Sequence, residues 1–362
     1  MVYKNIQGLR AIAALMVVVA HIFWPLEPLR MHWLVPYVDS IGPAGVDLFF
    51  VISGFVVYLS ADRLGKKAEL NGRFASFREF SVKRIFRIYP VYWVAFGVAT
   101  LLMTKVELAP DWMAQKPWWK LMLLIDQPND RIQAAWTLQF EMYFYAVCAL
   151  AILLFPRKVL AVLAMWLASV FGVWLASYWG YTATFSIWMT PMVLEFAVGI
   201  VVARLAMRSY SEFAVSSLAI GFGGLLLGAV IFRKGGGWWD LPAMWRVLCF
   251  GLPSGFIVYG FMAVEQRKMW TFSPAWIALG DSSYSLYLWH QLLFAVMASW
   301  YVSMGIVDHV PLEVLALSFA VIAIAVGFAS YHYIEKFFNN QPFVTRLAKG
   351  RAKIPATVTS AT

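Results

Sequence analysis

The sequence predicts an all-α protein, a polytopic transmembrane helical bundle of about ten spans with both termini cytoplasmic. Three observations predict it. Of 362 residues, 62% are hydrophobic and 13% charged, against about 25% charged in a soluble domain, so lipid is the solvent this composition suits. Apolar segments follow one another from near residue 8 to near residue 334 with no polar domain between them. The basic residues also divide unequally between alternate loops. With the N-terminus inside, 21 Lys and Arg fall on the cytoplasmic side and 8 outside, the asymmetry that the positive-inside rule describes.

A hydrocarbon core ~30 Å thick takes about 20 apolar residues per helix. The spans expected on that basis are 8–24, 43–61, 85–104, 134–155, 157–177, 183–204, 213–232, 245–264, 281–303 and 311–334. Residues 1–338 then form one transmembrane domain, and 339–362 a short basic cytoplasmic tail, expected to be disordered. The net charge of +10 does not point to nucleic acid, because the basic residues sit in short loops between apolar spans. Cys148 and Cys249 both fall inside spans, which predicts free buried thiols rather than a disulfide. No cleavable signal peptide is expected, since no small-residue cleavage site follows the first apolar run. The Cys and His spacing suits no tetrahedral metal site. Trp118-Trp119 and Trp238-Trp239 lie at span edges, where indoles anchor helices. The outer loop 105–133 is expected to lie along the outer surface, and Gly235-Gly236-Gly237 falls in an outer loop, unsuited to phosphate binding.

Ionisable groups inside a membrane are costly and mark candidate functional sites. Span one carries Arg10 and His21. Eleven residues of helix put them within ~20° of one face and ~16 Å apart along the axis. Arg10 then sits at the cytoplasmic end and His21 deep in the bilayer. Span two opens Gly45-Val46-Asp47 and continues to Ser53 and Phe55. Asp47 enters from the outer side near the depth of His21 and is a candidate to orient the imidazole. It reads equally well as a carboxylate facing a helix N-terminus.

Span three holds Arg84-Ile85-Phe86-Arg87 at its cytoplasmic end. Paired guanidinium groups suit phosphates, although such a pair is also a topology signal. Span four, Trp136-Thr137-Leu138-Gln139-Phe140-Glu141, places Glu141 about a turn and a half inside the outer boundary. Glu195 lies in mid-span in the sixth segment. Span nine, Asp281 to Gln291, is polar and aromatic enough to line a cavity. Tyr284, Tyr287 and His290 there, with Ser53, are candidate substrate-binding groups. His332 and Glu335 are expected at the cytoplasmic interface, in solvent.

These residues resemble a known family, the acyltransferase family 3 membrane proteins, in its exopolysaccharide O-acetyltransferase-like branch. The resemblance covers nearly the whole chain. It rests on Arg10 and His21, on Gly45 to Phe55, on Arg84-x-x-Arg87 before Pro90, on Trp136 to Tyr145 with Glu141, and on Tyr284 to His290. It implies transfer of an acyl group, usually acetyl from cytoplasmic acetyl-coenzyme A, to a sugar hydroxyl of a polysaccharide or lipid-linked oligosaccharide. It further implies that Arg10 and His21 are essential and that Arg84 and Arg87 help bind the donor. A bacterial, multi-pass, inner-membrane location is expected, with membrane lipid and polysaccharide-assembly machinery as neighbours. Thr137 stands where the family commonly has Ser. The single-domain organisation expected here argues against a handover to an extracytoplasmic esterase-like domain.

On this reading His21 is the general base toward the acceptor hydroxyl, or carries the acyl group, with Asp47 or Glu141 orienting it. A second class of function is a transporter or flippase of lipid-linked sugars, whose intramembrane Glu, His and Asp would be relay or substrate groups. No internal half-repeat of the kind many transporters show is apparent. A structural or assembly subunit is the third.

Overall fold

Ten long helices follow one another among the described residues. In the computed structural model they are α1 (Lys4–His21), α2 (Ala44–Asn71), α3 (Arg73–Val106), α4 (Trp136–Leu154), α5 (Val159–Tyr178), α6 (Leu194–Met207), α7 (Ala214–Lys234), α8 (Leu252–Gln266), α9 (Ser283–Ser303) and α10 (Leu312–Ser330). A shorter α11 (Pro342–Lys349) closes the described chain. The structure describes residues 3–25, 35–106, 117–125, 131–181, 190–209, 211–234 and 243–349, and no strand occurs among them. Most of the outer loop at 105–133, Gly235-Gly236-Gly237, Trp238-Trp239 and the tail beyond residue 349 lie outside the described residues.

Helix is found in every segment expected to be a span. Seven helical stretches are long and apolar enough to cross a membrane by length and composition: Asp39–Asn71, Arg73–Leu102, Gln133–Leu154, Pro156–Tyr178, Ala214–Lys234, Ala243–Gln266 and Leu312–Asn339. α1, α6 and α9 are not among them. α6 has 14 residues. α1 carries Lys4, Asn5, Gln7, Arg10 and His21, and α9 carries His290 and Gln291 with several Ser and Tyr, so the site candidates are among the groups that lower their hydropathy.

The basic segment expected as a loop after span two is helical. α2 and α3 run on past the apolar spans and meet at Gly72, whose φ of +88° only glycine adopts without strain. The extensions are tied by Lys67–Glu79 at 3.1 Å, while Lys66–Asp62 and Lys83–Glu79 bridge successive turns at 2.7 Å each. Pro156 opens the short turn between α4 and α5, the break expected there. Pro253 falls in the first turn of α8 directly after a π-helical turn, Val247–Gly251, so the ring lies where an amide N–H is least needed. Part of the expected tail is ordered too. α11 packs on α3 through Phe343 against Phe86, with ring centroids 5.5 Å apart, and buries Val344 and Ala348.

Small residues set the closest helix packing. Gly54 of α2 lies on the Phe196 carbonyl of α6, and Gly199 of α6 lies on the Val51 carbonyl of α2. A Cβ at either position would collide with backbone, so the two helices approach as only glycine permits. Aromatic stacking continues this contact, with Phe144 of α4 4.3 Å from Phe196. Cys148 and Cys249 are free and buried.

The start of α1 is held by polar groups, the half-buried Glu265 and the buried Asn5. Helix N-termini leave backbone N–H groups without partners. Here the Glu265 carboxylate, at the end of α8, accepts from the Lys4 N–H at 2.9 Å and the Asn5 N–H at 2.7 Å. The Asn5 side chain, itself fully buried, donates to the carbonyls of Phe261 and Trp270 and accepts from the Phe272 N–H. These bonds fix the helix that carries Arg10 and His21.

Candidate active site

Seven sequence-predicted residues from five helices line one cavity of about 90 Å³: Arg10 of α1, Ser53 of α2, Arg84 and Arg87 of α3, Glu141 of α4, and Tyr284 and Tyr287 of α9. Three guanidinium groups thus converge on a space also bounded by Phe49, Phe50 and Leu138. Arg87 is balanced by Glu335, with Nη1 donating to Oε1 at 3.3 Å. Arg10 and Arg84 form no ion pair among the described residues. Arg10 donates to the Gln7 side-chain oxygen at 3.3 Å. Arg84 lies over the rings of Phe80 and Tyr145, 5.4 and 5.2 Å from their centroids. Two guanidinium groups are therefore available to an anion.

Glu141 faces this cavity. One oxygen, Oε1, accepts from the Ser53 hydroxyl at 3.3 Å and from the Tyr145 hydroxyl. Its other oxygen has no hydrogen-bond partner among the described residues. Tyr284 and Tyr287 present their rings, while their hydroxyls are committed. Tyr284 donates to the Ile88 carbonyl at 2.8 Å, and the Tyr287 hydroxyl sits between the Ala134 carbonyl at 3.1 Å and Thr137 Oγ1 at 2.8 Å.

A second cavity of about 900 Å³ adjoins the first, and Arg10, Val56 and Arg84 line both. Its wall adds Asp62, Arg63, Lys66, Ser209, Ser211 and Gln266, with Lys66 paired to Asp62 at 2.7 Å. A wide chamber with a net basic lining therefore lies beside the small space bounded by Glu141, with Arg10, Val56 and Arg84 as their common wall.

His21, Asp47 and His290 lie apart from that lining. Asp47 and Glu141, the expected orienting groups for His21, have other partners. Arg246 grips Asp47 with two bonds, Nε to Oδ1 at 2.8 Å and Nη2 to Oδ2 at 3.2 Å. Asp47 is fully buried and Arg246 is 9% exposed; the arginine, read as an outer-loop charge, belongs to the interior. Glu195 is buried beside the pair, at the start of α6 rather than in mid-helix. His21 instead contacts the Val17 carbonyl and His290.

The chain matches the family model described as "Acyltransferase domain" over residues 3–330. It belongs to this acyltransferase family. The acyltransferase is 29% identical to the exopolysaccharide production protein ExoZ of Rhizobium meliloti, over 86% of its own length and 94% of that protein. It is 25% identical to a putative O-acetyltransferase of Staphylococcus aureus strain COL over 93% of its length. With the O-acetyltransferase OatA of Staphylococcus aureus the identity is 23% over 91% of the chain. The chain spans 57% and 56% of those two staphylococcal proteins. No solved structure matches.

In the acyltransferase, residues expected elsewhere pack against the site candidates. Glu335 is 1% exposed, not solvated; its second oxygen accepts from Ser285 Oγ at 3.0 Å. It enters the interior because the end of α10 widens into a π-helical turn, Tyr331–Glu335, a local shift that helical periodicity does not show. The exposed His332 is as expected. Asn5 and Glu265 act through α1. Arg246 could have been found from its polar partner count: Asp47 is an intramembrane acid in need of a base.

Proposed function

We propose that this membrane acyltransferase transfers acetyl from acetyl-coenzyme A to a hydroxyl of an exopolysaccharide or its lipid-linked precursor, in the inner membrane of a bacterium. The observation that carries this reading is the adjacency of a basic chamber to a cavity bounded by Glu141, with Arg10 and Arg84 in the wall of both. The chamber's Arg63 and Arg84 suit the donor's phosphates. The free oxygen of Glu141 is an acceptor for a polar group of either substrate.

His21 is the general base in this reading. The acceptor hydroxyl gives its proton to the imidazole as its oxygen attacks the thioester carbonyl. The carbon–sulfur bond then breaks, and the imidazolium returns the proton to the departing thiolate. Arg10, ~16 Å from His21 along α1, is too far to act on the same carbonyl and instead supplies positive charge to the donor at the wall between the two cavities. The exopolysaccharide acceptor is supported by the resemblance to the ExoZ-like branch. Mass spectrometry of surface polysaccharide from cells with wild-type protein, with His21→Ala and without the protein tests the proposal. O-acetyl groups should be present only with the wild type. Acetylation undiminished by His21→Ala would refute the role of His21, and unchanged polymer in the deletion would refute the acceptor.

A further inference from the structure

At the far end of α1 from Arg10, two imidazoles meet. His290 Nε2 of α9 lies 3.3 Å from His21 Nδ1, with ring centroids 5.1 Å apart. Each Nδ1 also lies at a backbone carbonyl oxygen, His290 at Tyr287 O (2.6 Å) and His21 at Val17 O (2.7 Å). A carbonyl oxygen only accepts, so each Nδ1 carries hydrogen. His290 is fully buried between the rings of Tyr287 and Phe294, each 5.8 Å away. A charge there is costly, so His290 is neutral and its Nε2 holds a lone pair. That lone pair faces His21 Nδ1–H, which donates to two acceptors. The Nε2 of His21 has no hydrogen-bond partner among the described residues.

We propose that His290 is the positioning residue of His21: its Nε2 accepts from His21 Nδ1–H, keeps the lone pair of His21 on Nε2 and steadies the imidazolium formed there. This rests on the reading of His21 as base. It is the work a carboxylate does beside the base of a hydrolase triad, and here Asp47 and Glu141 are engaged elsewhere. Proton balance is unaffected. The hydroxyl proton enters at His21 Nε2 and leaves from there to the thiolate, and His290 neither gains nor loses one. The Tyr287 carbonyl holds His290 while the Tyr287 ring lines the inner cavity, so the dyad and the cavity share one turn of α9.

The test compares His290→Gln, His290→Asn, His290→Phe and His21→Ala in membranes, measuring kcat, KM for labelled acetyl-coenzyme A and protein amount. A Gln carboxamide reaches the position of Nε2, whereas that of Asn reaches only the position of Nδ1. His290→Phe should lower kcat about 100-fold with KM unchanged, and Gln should recover more than Asn. Asn equal to or better than Gln would show that only the bond to Tyr287 O matters and overturn the proposal; so would wild-type kcat in His290→Phe. If the Phe variant does not accumulate, the Gln and Asn comparison decides alone. An inactive His21→Ala beside a fully active His290→Phe sinks the role of His290 only, whereas an active His21→Ala sinks the reading of His21 itself.

Discussion

Asp47 and Arg246 form a buried ion pair whose energetic coupling is open to direct measurement. Both bonds are of hydrogen-bond length, 2.8 and 3.2 Å, and neither residue is more than 9% exposed. Removing one partner of such a pair leaves an uncompensated buried charge, at a cost of about 3–5 kcal/mol, while replacing both by apolar groups is close to neutral. Asp47→Leu and Arg246→Met should therefore each lower stability by about 3 kcal/mol or more. The double variant should lose no more than about 1 kcal/mol, giving a coupling of about 5 kcal/mol between the two sites. Thermal unfolding of the detergent-purified protein, followed by tryptophan fluorescence, reads the cycle, and acetyl transfer in membranes is measured alongside. If Asp47 acts through packing, activity returns with stability in the double variant. Strictly additive losses would refute the pair. A double variant that is stable yet inactive would return Asp47 to the chemistry.

Two further outcomes follow from the same geometry. Arg84→Ala should raise KM for acetyl-coenzyme A about 10-fold or more with a smaller change in kcat, since one charged hydrogen bond contributes about 1.5–3 kcal/mol; steady-state kinetics at two salt concentrations checks this, and an unchanged KM would remove Arg84 from the donor site. Gly199→Leu should abolish accumulation of folded protein, because any side chain there meets the Val51 carbonyl; size-exclusion chromatography of the extracted protein reads it, and a monodisperse variant would contradict the close packing of α2 on α6.

The all-helical character and the segments that carry it were legible in hydropathy alone, because helix in lipid must satisfy its own backbone. The convergence of Arg10, Ser53, Arg84, Arg87, Glu141, Tyr284 and Tyr287 was legible as a set of costly polar groups, since each had to face the interior. Their pairings were not. Asp47 and His21 lie at similar expected depths, yet depth does not say which neighbour a side chain faces, and Arg246 proved to be the partner. Glu335 was misplaced because a π-helical turn rotates it inward, out of register with the helix before it. The Glu265 clasp on α1 joins residues some 260 positions apart, a relation no local pattern encodes. The extension of α2 and α3 beyond the apolar spans was hidden by their charge, which reads as loop until Gly72 is seen to make the turn.

The central claim, that the adjacent cavities walled by Arg10 and Arg84 serve acyl transfer, is tested most directly with labelled acetyl-coenzyme A. Membranes holding the wild-type protein, Arg10→Ala or His21→Ala are given the donor and an acceptor glycan. The account predicts label in the glycan with the wild type and at least 100-fold less with either variant. Movement of lipid-linked glycan across the membrane with no label transferred by the wild type would contradict it and leave a flippase in its place.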